Sequence, residues 1–167
     1  MRYFIFVFTD KEGFGFLYRM LICLAFKNKE GLLLIDKFNC DCASLEEFRL
    51  AREAIRENLN KICPAYSMQL FVAINEAANN AFFHGINDHK GTQVTIDIIR
   101  NNQDLCIRIK HNGEGFTPEY IDCTASDEIY NDSGRGIDII RHYVDSLEFS
   151  ACGREVTMHK DLKNSSI

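Results

Sequence analysis

A chain of 167 residues, 46% hydrophobic and 26% charged, has the composition of one ordinary globular domain and is long enough to bury a sizeable core. Its net charge of −5, with 24 acidic residues interleaved among 19 basic ones, excludes a general nucleic-acid binder, which needs clustered Lys and Arg. The apolar run 14–26 is interrupted by Arg19 and too short to span a bilayer, so no membrane contact is expected.

In chain order, residues 2–8 (RYFIFVF) read as a strand, and 14–26 as a short buried helix. The polar residues Lys27, Asn28, Lys29 and Glu30 follow where a secretory signal would place its small-residue cleavage site, so a signal peptide is not expected. Gly31 opens a second strand, GLLLIDKFN. Ser44 and Glu47 form the S-x-x-E capping box of a helix. Phe48, Ala51, Ile55, Leu59 and Ile62 keep helical spacing along it, with Arg49–Glu53 and Glu57–Lys61 expected to pair on its outer face.

Pro64 ends that helix, and Ser67 can cap the next, which runs to about Phe83. The segments 93–99 and 105–109 alternate with period two across Asn101, Asn102 and Gln103, which predicts an antiparallel hairpin. A loop rich in Gly, Asp and Ser covers 111–134, and a helix starts near Gly136. Two closing strands, 147–151 and 155–159, meet around Gly153. This order predicts an α+β fold: a two-layer sandwich with a mixed, mostly antiparallel sheet and helices on one face. The expected division is an extension at 1–30, one domain at 31–162 and a short tail at 163–167.

Seven cysteines stand at 23, 40, 42, 63, 106, 123 and 152, with no CxxC pair. They read as free thiols of a reducing cytoplasm rather than a zinc site.

Three segments carry chemistry. On the helix after Ser67, Glu76, Asn80 and His84 are spaced i, i+4, i+8 and drift by only about 40° per step, so carboxylate, carboxamide and imidazole share a stripe. The stripe has no Lys or Arg, and its flanking alanines leave room for something bulky. Oxygen donors at this spacing suit a hard cation such as Mg²⁺, although a solvated or core face accounts for the pattern equally well. The second segment, His111-Asn112-Gly113-Glu114-Gly115-Phe116, follows a strand, and its paired glycines allow a sharp turn and close approach to a ligand. The third, Ser133-Gly134-Arg135-Gly136-Ile137, precedes a helix whose free N–H groups make a phosphate seat.

The order E-x-x-x-N-x-x-x-H-G, N-G-x-G-F, G-R-G and a closing G-x-x-V-T-M-x-K resembles the GHKL superfamily of ATPases and kinases over roughly residues 31–162. The short connection between the second and third segments, and the lack of a phosphoacceptor-His dimerisation helix, are most similar to the anti-sigma serine kinases of partner-switching systems. The resemblance implies a cytoplasmic, ATP- and Mg²⁺-dependent serine-protein kinase, a homodimer partnering a sigma factor or an anti-anti-sigma (STAS-type) protein. It implies Glu76 as general base and Asn80 as the Mg²⁺ ligand. Around the nucleotide it implies Asn80, His84, His111, Gly113, Gly115, Gly134, Arg135 and Gly136, with 116–133 as the lid.

Two positions depart from the family pattern. His111 stands where the family has an Asp that accepts from the adenine amino group, and Arg154 where it commonly has Thr. These departures keep open a second reading, a catalytically inactive binding module of the same fold. A detached histidine-kinase catalytic domain would have a longer lid and a phosphoacceptor helix, neither of which this sequence shows.

Overall fold

The computed structural model describes residues 4–8, 21–28, 31–84, 93–115 and 135–163; for 4–8, 21–28, 31–34 and His84 the description is of the backbone alone. Seven strands form one sheet in the order β1-β2-β3-β4-β5-β7-β6. They are β1 (Phe4–Phe8), β2 (Leu21–Asn28), β3 (Gly31–Cys42), β4 (Val94–Asn101), β5 (Asp104–His111), β6 (Ser146–Phe149) and β7 (Glu155–Asp161). Every pairing among the described residues is antiparallel, so the sheet is not mixed. Among the described residues three α-helices, α1 (Leu45–Ile62), α2 (Ser67–His84) and α3 (Arg135–Tyr143), complete the α+β sandwich.

Residues 21–26, expected within a helix, belong instead to strand β2, which pairs along β3 from Ile22–Lys37 to Asn28–Gly31. A short apolar run does not distinguish a buried helix from a strand, and here the long neighbouring strand decides it. The rest of that expected helix, 14–20, lies outside the described residues.

The alternation in β4 and β5 puts Val94, Ile96, Ile98, Leu105, Ile107 and Ile109 on the helix-covered face, each at most 1% exposed. Phe48, Ile55 and Leu59 of α1, and Leu70 and Ile74 of α2, meet them with Met158 and Ile140. Each such side chain contributes roughly 1.5–3 kcal/mol on burial. Truncating one, as in Ile107→Ala, costs about 2–5 kcal/mol through the cavity left behind. On the opposite face Asp97, Arg108, Lys110 and Glu155 border an open cleft of about 420 Å³. That face is charged and solvated.

The start of α1 forms as its sequence predicts. Glu47 N–H donates to Ser44 Oγ at 3.1 Å, and the Glu47 carboxylate reaches back to Ala43 N–H at 2.6 Å. Its surface ion pairs differ from the expected i, i+4 set, being Arg49–Glu46 and Arg56–Glu53 at i, i+3. All four side chains are exposed, and such pairs contribute little. At the other end Arg100 Nη1 donates to the Ile62 carbonyl, satisfying one of the free carbonyls of the last turn. A 3-10 turn at Pro64–Tyr66 then leads into α2. Ser67 does not cap that helix as expected; its hydroxyl donates to Pro64 O at 3.1 Å.

The alanines of α2 set the positions of its neighbours. Ala73, Ala77, Ala78 and Ala81 are all buried, at 7% exposure or less. They do not leave space for a ligand, as their size suggested. Instead they let α2 pack closely against α1, α3, β4 and β5.

Candidate functional site

The close approach of α2 and α3 brings two of the three sequence segments together. Gly136 lies in the first turn of α3, directly over Glu76 and Asn80 of α2. A Cβ built on Gly136 would sit 3.1 Å from Glu76 Oε2, 3.4 Å from Asn80 Nδ2 and 3.5 Å from Asn80 Oδ1. Any side chain at 136 would fill the space that these polar ends border. Glu76 and Asn80 are both half-buried, and among the described residues neither side chain has a hydrogen-bond or ion-pair partner.

The chemistry of this cluster follows from its parts. The first N–H groups of α3 have no intrahelical acceptor, and the helix start carries a positive partial charge. An anion such as phosphate is stabilised there. The carboxylate and carboxamide oxygens border the same small space and form a hard donor set, which suits Mg²⁺ with much of its hydration kept. The residues therefore fit that ion, with Asn80 Oδ1 and the Glu76 carboxylate as the groups at hand. Arg135 opens α3 and is exposed. Gly134, the lid segment 116–133 and the His84 side chain lie outside the described residues.

The second segment forms a separate cluster around the β6–β7 hairpin. His111 ends β5 and is 5% exposed. Its backbone N–H donates to Arg154 O at 2.9 Å. Its Nδ1 lies 3.2 Å from Gly113 N, and its Nε2 lies 3.3 Å from Gly153 O. The amide can only donate and the carbonyl can only accept, so Nδ1 is the bare nitrogen and Nε2 carries the hydrogen. Burial lowers the His111 pKa from its ordinary 6.5; the Gly153 hydrogen bond opposes this, and the Arg154 charge adds to it. Burial thus favours the neutral ring.

Gly115 has φ +80°, a left-handed backbone, and a Cβ there would stand 2.1 Å from Cys152 O and 2.9 Å from Arg154 Cγ. Asn112 completes the turn: its Oδ1 accepts from Gln93 N–H at 2.8 Å, and its N–H donates to Gln93 O at 3.3 Å.

Sequence reasoning named both sides of the first cluster and one side of the second. It missed the hairpin tip, where Cys152 and Gly153 present carbonyls to Gly115 and His111. Gly153, with φ +62°, was legible as a turn residue but gave no sign of what the turn faces. Cys152 is exposed, and its pKa is lowered by the Ser150 hydroxyl, the Arg154 backbone N–H and the Arg154 charge. α2 packs against both β5 and α3, so one helix supports both clusters. No helix among the described residues is long and apolar enough to cross a membrane.

A family model described as a histidine kinase-like ATPase domain matches residues 39–160, well over half of the chain. No curated protein matches the chain closely enough to count as a relative.

Proposed function

The chain belongs to the histidine kinase-like ATPase domain family, and on that premise we propose that it is an ATP-dependent serine-protein kinase of the anti-sigma type. One observation carries the reading: the bare Cα of Gly136 holds the start of α3 against a carboxylate and a carboxamide on α2 that have no partner among the described residues. An ATPase-type domain supports nucleotide binding; kinase activity and a regulatory partner are the further step.

In this reading the N–H groups of the first turn of α3 hold the phosphates, and Glu76 faces the incoming serine hydroxyl. The serine oxygen attacks the γ-phosphorus as the bond to the β-phosphate oxygen breaks. The hydroxyl proton passes to the Glu76 carboxylate, and ADP leaves. Mg²⁺, held through Asn80, would supply charge neutralisation on the phosphates. Phosphoryl transfer asks little more of a protein than positioning and electrostatics. The partner is a sigma factor or an anti-anti-sigma (STAS-type) protein, the latter being the phosphoryl acceptor, bound by a cytoplasmic homodimer.

Glu76→Gln tests the chemistry, because the amide keeps the shape but cannot take up a proton. Loss of a positioned base costs about 10²–10⁴ in rate. Transfer of labelled γ-phosphate should vanish while the partner is still captured; full activity in the variant rejects Glu76 as the base. A second reading, a binding module that docks its partner without ATP, is favoured by one observation. Both ring nitrogens of His111 are engaged within the chain, which leaves no acceptor there for an adenine amino group.

A further inference from the structure

His111 occupies a place in this chain that a ligand-reading residue could not. It is buried at 5% exposure, and each ring nitrogen already has a partner in a different segment. One partner, Gly113 N–H, belongs to the turn after β5. The other, Gly153 O, belongs to the tip of the β6–β7 hairpin. The same two segments touch again where Gly115 faces the Cys152 carbonyl, an approach that a Cβ would forbid. A third link, His111 N–H to Arg154 O, extends the β5–β7 ladder into the hairpin.

We propose that His111 is a positioning residue of the site: its neutral imidazole ties the Gly113–Gly115 turn to the β6–β7 hairpin, and it does not read the nucleotide's base. The inference rests on the nucleotide-site reading above only for what the turn positions; the tie itself is a property of the free protein.

Protonation is the natural probe of such a tie. A hydrogen on Nδ1 would point at the Gly113 N–H, donor against donor, and the turn would lose that bond while Gly153 O kept its own. Among the described residues the charged groups around the ring are few. Arg154 comes from the hairpin and disfavours the imidazolium. Asp97 of β4, Arg108 and Lys110 of β5 and Glu155 of β7 border the cleft that reaches the edge of His111 on the charged sheet face. The one acid of α2, which packs on β5, is Glu76.

The experiment follows Gly113 amide protection and MgATP affinity together, in wild type and His111→Asn, from about pH 8 down to the pH at which the wild-type ring-nitrogen shifts show His111 protonated. Asn keeps an acceptor for Gly113 N–H but does not titrate, and comparing the two proteins in the same buffers cancels the nucleotide's own titration. Wild-type protection should fall by about fivefold towards acid pH, the worth of one neutral hydrogen bond, and affinity relative to the Asn variant should fall with it. Flat wild-type protection overturns the tie, and a fall in protection that affinity does not follow overturns the positioning role. If MgATP binds at no pH, the nucleotide reading fails, while the exchange data still decide the tie. Should His111→Asn not fold, the ring-nitrogen shifts of wild-type His111 decide instead. The tie requires a bare Nδ1 at neutral pH, and a hydrogen found on Nδ1 overturns it.

Discussion

Gly136 and Glu76 are in contact across the α2–α3 interface so closely that a single added methyl group would come within 3.1 Å of the Glu76 carboxylate. The atom it meets is the free end of a flexible side chain, which can swing away. Gly136→Ala should therefore leave the fold intact and even favour α3, since Ala exceeds Gly in helices by about 0.5–1 kcal/mol. The space between Glu76 and Asn80 would be lost. The expected result is an unchanged or slightly higher melting temperature with clearly weaker MgATP binding. Wild-type affinity in this variant would remove the space beneath α3 from the site.

Gly115→Ala should behave in the opposite way. The clash there is with backbone, at Cys152 O, and φ is left-handed, so neither neighbour nor residue can relax cheaply. A loss of at least about 2 kcal/mol is expected, or a fall of about 4–8 °C in Tm. A variant as stable as wild type would mean that the turn and hairpin do not meet as described.

The order of the motifs made the family and the α+β class legible before any coordinates, because Glu76, Asn80 and the two glycine segments lie at spacings that chance rarely repeats. Alternation fixed β4 and β5, and the capping box fixed the start of α1. What stayed hidden depends on contacts remote in sequence. Nothing local in 21–28 distinguishes a strand from a buried helix. The His111 tie requires knowing that residue 153 returns to β5, and the alanines of α2 look the same whether they border a ligand or a core.

Stability should show two acid windows. His111 is held below its ordinary 6.5, so its contribution is complete above that value and is lost as pH falls through the lower folded value. Asp145 is also depressed from 3.8, chiefly by its hydrogen bond from Lys160, so its contribution persists to more acid pH and is lost only as pH falls through the depressed value. Melting temperatures across pH should show the first decline in wild type and Asp145→Asn but not in His111→Asn. A first decline that persists in His111→Asn would assign it to another group.

The central claim is that the α2–α3 cluster takes a nucleotide's phosphates with a hard cation. Calorimetric titration of the folded protein with ATP, with and without Mg²⁺ and with ADP for comparison, tests it most directly. The account predicts saturable binding of one nucleotide per chain, weakened by chelating the metal and by Asn80→Ala. The absence of any binding heat with ATP and Mg²⁺, from a protein that melts cooperatively, would contradict it.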